Sequence, residues 1–523
     1  MRTLVINLTR FGDLLQTQPV FTGLKESGDT VGLVCLQNFL PATALVRDLD
    51  AVFAIPGARL LAELDRSWPV ALGSCLGFVD NVRGEFAPDR VINLTSSLPS
   101  RLLARAMRAD VVQGFGLDDF GYGIYSTPWA AFLEATALHR GSSPFNLVDL
   151  FFKAAHLGDA PRRFRLAEPD PSALSDVRAL ISEQAIGNAT DIAGYVGLQL
   201  GASAAKRQWP TQHFAQVAQR LWERHRLLPV LLGGKDEQEL AGRFAASTGV
   251  PHVNLVGRTG LPQLAAAVSL LRVLVTNDTG TMHLAAGLGV PILAIFLATA
   301  QPWDTGPYLP GACCLEPDLP CHPCSFSHEC PIDWACRNAV RPETVAACLD
   351  GWLESGRWPD VAGRGVRAWE CYSDAGGFLG LRSLSGHDGA DRTVWNEIQR
   401  QAWRRFLDGQ PQSFRGDEAE RLSPAFREHL AGVLLQAGGL LDVLIQQSRL
   451  LAMAPRPALR SKFMATWQRL ESLFASDPAF STLGHLWLHL SQAESPDMSR
   501  FDSFALSVAD MVSALSGLFV PRP

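Results

Sequence analysis

The chain has 523 residues, enough for about three to four domains of ordinary size. Hydrophobic residues make up 47% and charged residues 19%, which excludes a disordered or collagen-like polymer and predicts large cores. The formal net charge of −6 argues against broad electrostatic capture of nucleic acid, which needs a basic face, so no nucleic-acid partner is expected.

The first apolar run stops at Asn7, and Arg10 and Asp13 follow, so the amino terminus does not read as a signal peptide. Residues 3–8 read as a strand, 14–24 have helical spacing, and 31–36, 51–55 and 90–94 read as further strands, the last followed by a helix over 99–107. Alternation of this kind predicts βαβ units and a parallel sheet. Residues 165–192 are more polar and read as a connection with one helix. A second alternating series then begins. Strands are predicted at 193–200, 228–232, 253–256, 273–276 and 291–296, with helices over 211–224 and 261–271. Two doubly wound domains facing each other put a cleft between the carboxyl ends of their strands.

The longest stretch without charge or histidine, 284–303, is broken by Gly289-Val290-Pro291. A membrane span needs about 20 continuous apolar residues, so the expectation is a cytoplasmic protein. After about residue 365 the β signal vanishes. Val394, Ile398, Ala402 and Phe406, then Phe463, Trp467, Leu470 and Phe474, follow a helical period and predict buried helix faces. The expected domains are an α/β unit over 1–165 and a second over 190–355 carrying a Cys-rich insertion at 313–336. An all-α extension follows over 390–520, and the Gly/Ser/Asp-rich 373–392 stretch reads as a linker or long loop.

Three clusters could carry chemistry. In the first, a strand ends in Asp278-Thr279-Gly280-Thr281 and a helix starts at once, with His283 in its first turn. Unpaired N–H groups, a positive dipole end and two hydroxyls suit a phosphate, although Asp and Thr also make ordinary caps. In the second, Gly12 allows a tight turn after the first strand, Asp13 stands at a helix start, and Thr17 and Gln18 follow. The carboxylate reads either as a general base at the cleft mouth or as a complement to the helix dipole. In the third, the small-residue loop with Ser203 presents Lys206 and Arg207, a cation pair able to neutralise a diphosphate leaving group, or else a solvated surface pair. Only five lysines occur (25, 153, 206, 235 and 462), which favours a function for Lys206. The Arg101, Arg105, Arg108 stripe could meet an anionic acceptor but reads more simply as a solvated helix face.

These pieces occur in one order: Gly12-Asp13, Gly201-Ala-Ser203 with Lys206 and Trp209-Pro210, Gly233-Gly234 with Glu237, and Asn277-Asp-Thr-Gly280 with His283-Leu-Ala-Ala286. The set resembles glycosyltransferase family 9, the ADP-heptose:lipopolysaccharide heptosyltransferases, over about residues 1–350. The resemblance implies a GT-B fold of two Rossmann-like domains and an inverting transfer of heptose, or a related sugar, from an ADP-sugar. The acceptor hydroxyl would belong to a glycolipid of the lipopolysaccharide core or to a protein. Asp13 would deprotonate that hydroxyl and Lys206 would stabilise the departing diphosphate. Thr279, Gly280 and Thr281 would hold the phosphates, Glu237 the ribose, and His283 would lie near the donor. Gly12, Thr17, Gln18, Ser203, Arg207 and Asp278 are expected to line the substrate cleft. No cofactor is implied for catalysis. Contact with the membrane would be at most peripheral, at the inner face of the inner membrane. Leu297 departs from the family pattern, which commonly has Gly there, and is expected to reshape the donor pocket. The helical tail is also outside the usual family domain, and a docking module or homo-oligomer interface is expected there.

Seven of the ten cysteines fall between Cys313 and Cys348. Cys321, Cys324, Cys330 and Cys336 are spaced C-x2-C-x5-C-x5-C, and four thiolates could close a tetrahedral site. The stretch also resembles the iron-binding finger of some autotransporter-modifying members. A structural zinc or iron stands beside free or disulfide-paired thiols as the two readings. Two further readings of the chain are a sugar-nucleotide epimerase of the same fold and a degenerate, non-catalytic transferase domain used for assembly.

Overall fold

The computed structural model describes residues 1–137, 143–158, 162–185, 191–324, 329–414, 417–494 and 498–520. Its strands are β1 (Arg2–Ile6), β2 (Thr30–Leu36), β3 (Ala51–Ile55), β4 (Arg90–Asn93), β5 (Val111–Leu117), β6 (Gly123–Tyr125), β7 (Gly194–Gln199), β8 (Leu227–Leu232), β9 (Val253–Asn254), β10 (Val273–Asn277), β11 (Ile292–Ile295), β12 (Cys313–Pro317), β13 (Val366–Ser373) and β14 (Leu379–Ser383). The helices of the first half are α1 (Phe11–Gln16), α2 (Gln18–Glu26), α3 (Gly57–Arg66), α4 (Trp68–Glu85), α5 (Leu98–Ala106), α6 (Pro128–Ala137), α7 (Leu147–Ala154) and α8 (Pro171–Ala185). Those of the second half are α9 (Thr211–His225), α10 (Gln238–Ala246), α11 (Leu261–Ser269), α12 (Gly280–Gly287), α13 (Pro302–Thr305), α14 (Cys336–Ala339) and α15 (Pro342–Ser355). The tail holds α16 (Asp391–Leu407), α17 (Pro424–Met453), α18 (Pro457–Ala475), α19 (Ser481–Glu494) and α20 (Met498–Gly517).

The chain forms two compact units, Met1–Leu117 with Phe145–Gly386, and Asp118–Pro144 with His387–Pro523. The first unit contains two sheets. In one, the strands run β3-β2-β1-β4-β5 and pair in parallel. In the other, the order is β14-β13-β12-β11-β10-β7-β8-β9. There β7 to β12 are parallel, and β13 and β14 add an antiparallel edge. Strands covered by helices on both faces are continuous apolar runs, as the fully buried Leu4, Val5 and Ile6 and the wholly buried β8 show.

In each sheet the strand order reverses beside a central strand. The reversal lies between β1 and β4 in the first sheet and between β7 and β10 in the second. Loops leaving the carboxyl ends at such a point diverge and open a crevice, the usual seat of a ligand in an open α/β sheet. The four loops concerned hold Asp13, Thr95, the 201–209 segment and the 278–280 segment.

Two sequence-based expectations fail in the fold. The β signal does not end near residue 365: β13 pairs with β12 from Cys313↔Glu370 to Pro317↔Val366, and β14 continues the sheet. The glycines of the supposed linker make the turn of that hairpin, where Asp374 accepts the N–H groups of Gly376 (2.9 Å) and Phe378 (3.0 Å). The second failure concerns residues 118–144, which do not belong with the first α/β domain. α6 lies in the helical unit, where the Trp129 indole donates to Asp408 at 2.7 Å and Phe132 packs on Trp403 at 5.1 Å between centroids.

In that unit α17 packs on α18 and α20, and α18 on α19. The Ser423 hydroxyl caps α17 by accepting from the Phe426 N–H at 3.3 Å, and Pro424 stands in its first turn. Among the described residues α17 is the one helix long and apolar enough to cross a bilayer by length and composition. Only 39% of its most apolar window is buried.

Candidate active site

The crevice of the second sheet is built by backbone and buried amides. Asn277 ends β10, and its side chain is fully buried. Its Nδ2 donates to the carbonyls of Leu200 (3.0 Å) and Gly201 (3.1 Å), and its Oδ1 accepts the Trp209 N–H at 2.9 Å. One side chain therefore holds both ends of the 201–209 loop against the start of α12. Gln199, which ends β7, joins the neighbouring groups. Its Oε1 accepts from the Thr281 hydroxyl at 2.9 Å, and its Nε2 donates to Glu237 at 3.2 Å.

The residues expected to bind substrate separate into two sets. Thr279 sits at the N-cap of α12 with extended backbone and no side-chain cap bond, so the first N–H groups of the helix are not capped by it. Gly280 follows, and Lys206 is half-buried in the 201–209 loop. Glu237, in the turn after β8, accepts from the Gly234 N–H at 2.9 Å and lies against Gly201, where a Cβ would overlap its carboxylate. Burial pushes the Glu237 carboxyl above its usual range.

The second set is engaged in hydrogen bonds that hold the site together. Arg207 is buried and donates to Asp278 at 2.8 Å, and also to the Ser203 hydroxyl. The pair ties the Lys206 loop to the start of α12, so neither Arg207 nor Asp278 is a spare charge. The Thr17 hydroxyl accepts from Asn7 Nδ2 at 2.7 Å and donates to the Asp13 carbonyl at 3.0 Å. The Gln18 amide is buried, donating to Thr22 and to the Arg47 carbonyl and accepting the Arg47 N–H at 2.7 Å. Arg101 is likewise buried, donating to the carbonyls of Ser96 and Gly116.

α1 and α12 meet at their amino ends. A Cβ on Gly12 would stand 2.9 Å from His283 Cδ2 and 3.3 Å from Gly280 Cα, and one on Gly280 would stand 2.5 Å from Phe11 Cδ1. Glycine at both positions is what lets the two helix starts approach, and a carboxylate in the first turn of α1, Asp13, is thereby brought beside the start of α12. His283 is buried, its Nδ1 has no hydrogen-bond partner, and burial pushes its pKa down to about 4. It is a neutral imidazole at pH 7 rather than a cation. Leu297 is fully buried in the core with Leu293, Ile295 and Leu315 and so does not face the donor crevice, contrary to the expectation.

The cysteine run lies at the flank of the same crevice. All ten cysteines are free thiols. Burial raises the Cys324 and Cys336 thiols, and the neighbouring Cys321 and Cys330 push both the same way, so the four thiols share one neighbourhood. Lys206 acts on Cys324 in the opposite sense. Among the described residues no three Cys, His, Asp or Glu side chains stand at coordination spacing. Residues 325–328 lie outside the described residues.

Sequence reasoning missed Asn277 and Gln199 as the residues that set the crevice. Their signal was present, a buried polar amide as the last residue of each of two neighbouring apolar strands.

The chain is also similar to known proteins. Residues 83–334 match the profile of glycosyltransferase family 9 (heptosyltransferase). The chain is 32% identical over 326 residues to lipopolysaccharide heptosyltransferase 1 of Pseudomonas aeruginosa, which covers 62% of this chain and 86% of that protein. It is 28% identical over 200 residues to lipooligosaccharide heptosyltransferase 2 of Campylobacter jejuni, covering 36% of this chain and 56% of that one. Among solved structures, the ADP-heptose lipopolysaccharide heptosyltransferase II of E. coli superposes with a TM-score of 0.50 at 18% identity, over 68% of this chain and 99% of its own.

Proposed function

The chain belongs to glycosyltransferase family 9 and is a glycosyltransferase; from that premise we propose that it moves a heptose from ADP-heptose to a hydroxyl of a lipopolysaccharide-core glycolipid or of a protein. The observation that carries the reading is the meeting of the two helix starts, with Asp13 on one and the Thr279–Thr281 turn on the other. In this reading Asp13 is the general base and the start of α12 is the diphosphate seat. The names of the relatives support heptose as the sugar, and ADP-heptose is the donor named for the E. coli structure.

In the proposed reaction Asp13 takes the proton of the acceptor hydroxyl while its oxygen bonds to the anomeric carbon from the face opposite the diphosphate. The C1–O bond breaks, its electrons leave with the diphosphate, and the configuration inverts. The growing negative charge falls on the first N–H groups of α12 and on Lys206. Charge neutralisation is assigned to these groups, without a metal in the reaction. The four cysteines are assigned to a structural zinc or iron. Their donor set and shared neighbourhood support that assignment, and closing the site requires the thiols to move together on binding. Metal content of the purified protein and of Cys321→Ser tests it: less than about 0.1 metal per chain in the unmodified protein rejects it. We place the enzyme on the cytoplasmic side of the inner membrane, as the family resemblance implies. Recovery of the protein from a periplasmic fraction would reject that.

Calorimetric titration with ADP, UDP and GDP, each with and without its sugar, tests the donor. Preferential binding of ADP and ADP-heptose, weakened at least about tenfold by Lys206→Ala, is expected. Preference for UDP or GDP overturns the donor, and product formed without any acceptor replaces transfer by epimerase chemistry.

A further inference from the structure

The cysteine-rich segment reaches the loop after β11 and the 201–209 loop of the proposed donor seat through its backbone and one arginine. Ala298, in the loop after β11, has φ of 54°, a left-handed conformation that strains a residue with a Cβ. Both of its backbone polar groups are held by the segment. Its carbonyl accepts the Cys324 N–H at 2.8 Å, and its N–H faces the Cys336 thiol. Next to Cys336, Arg337 Nε donates to the carbonyl of Gln208 at 2.8 Å. Gln208 lies two residues from Lys206, and the following Trp209 donates its indole N–H to Val340 at 2.8 Å, just past α14. The 201–209 loop is therefore pinned on one side by Asn277 and on the other by the end of the cysteine segment.

We propose that Cys324 and the 336–340 stretch brace the sugar-nucleotide seat, with Cys336 and Arg337 as positioning residues that set the loops carrying Ala298 and Lys206. Neither residue is assigned a donor contact; each acts through a backbone group of a neighbouring loop. A strained backbone persists only where its surroundings over-determine it, and at Ala298 the two contacts that do so both come from this segment. The brace also gives the thiol cluster a consequence for catalysis: any change that moves Cys324 or Cys336 moves the loops beside Lys206.

The inference rests on the reading of this crevice as the donor site, and two measurements on the full-length protein keep the two apart. Hydrogen exchange followed by mass spectrometry reads loop order without nucleotide. In Arg337→Ala the peptides spanning 200–210, and in Cys336→Ala those spanning 296–301, are expected to exchange at least about tenfold faster, while β1 and β10 stay protected. Unchanged exchange in both variants overturns the brace. Titration with ADP reads the consequence: Arg337→Ala is expected to weaken ADP about tenfold, the effect of one lost positioning bond, and to raise the donor KM while leaving the acceptor KM. Arg337→Lys, which keeps a donor near Gln208, is expected to recover part of the loss. ADP affinity lowered by Lys206→Ala but untouched by Arg337→Ala and Cys336→Ala also overturns the brace. If the unmodified protein binds no ADP, the donor reading fails, and the exchange data still decide the brace.

Discussion

Asp13 and His283 sit on facing helix starts and are set apart by environment. Asp13 is half-buried, whereas His283 is buried with an orphan Nδ1. Asp13→Asn keeps the size and removes the base, so kcat is expected to fall by about 10²–10⁴-fold with ADP affinity unchanged. Steady-state transfer assays check this, and a rate within about tenfold of the unmodified enzyme removes Asp13 from the base role. His283 makes a stability prediction with a definite sign. Its folded pKa lies near 4, below the ordinary value of 6.5, so between those values the unfolded chain binds the extra proton. The associated stability is present above pH 6.5 and is lost as pH falls toward 4. Between pH 7 and pH 5 the loss is on the order of 2 kcal/mol. Urea unfolding at the two pH values should show it, and His283→Gln, which cannot titrate, should remove that part of the slope.

At the scale of elements, the site depends on how strands end. Asn277 satisfies the carbonyls of Leu200 and Gly201 and the N–H of Trp209 through a single buried side chain. Asn277→Ala leaves those groups without partners and is expected to lower the unfolding free energy by about 3 kcal/mol. The same change should loosen ADP binding, and thermal unfolding with ADP titration on one preparation checks both effects. Apolar strands buried on both faces announce themselves as continuous runs, which is why β1, β2, β7, β8, β10 and β11 were legible from the sequence. β13 was not. Its alternation is short, and the glycines of its hairpin turn read as a linker until pairing with β12 was visible. The order of the Gly12, Lys206, Glu237 and Asp278 clusters led to the crevice, because strand ends and helix starts carry type-specific residues. The direction in which a hydroxyl or an amide points was not legible. Thr17 and Gln18 have the chemistry of substrate contacts, yet their partners are Asn7 and Arg47. Arg207 likewise has the charge for a diphosphate and is held by Asp278.

At the scale of the whole molecule, the chain passes between its two units at residues 117, 144 and 386, so the helical unit is not a simple tail. The grouping of 118–144 with 387–523 depends on contacts between residues more than 250 apart, such as Trp129 with Asp408, and no local pattern reports them. This determines where the protein can be cut. Removing 366–523 takes away β13 and β14 together with the buried contacts they make to α7. There the Asp149 carboxylate accepts the Leu379 N–H at 3.1 Å and stands 2.9 Å from the Tyr308 hydroxyl. That truncation exposes the edge of β12 and is expected to aggregate. Removing 387–523 alone leaves α6 without its partners, uncovering Trp129, Ala130 and Phe132, each no more than 2% exposed in the intact chain. A soluble product with raised dye binding to apolar surface is expected, and its melting temperature should be lower. Removing 387–523 and also replacing 118–144 with a Gly/Ser linker of about twelve residues takes out the whole second unit. That variant is expected to unfold cooperatively and to bind ADP as the full chain does. Size-exclusion chromatography, calorimetry and dye binding on the three variants rank them. If the 387–523 truncation behaves as well as the double replacement, residues 118–144 fold with the α/β unit and the division at these positions is wrong.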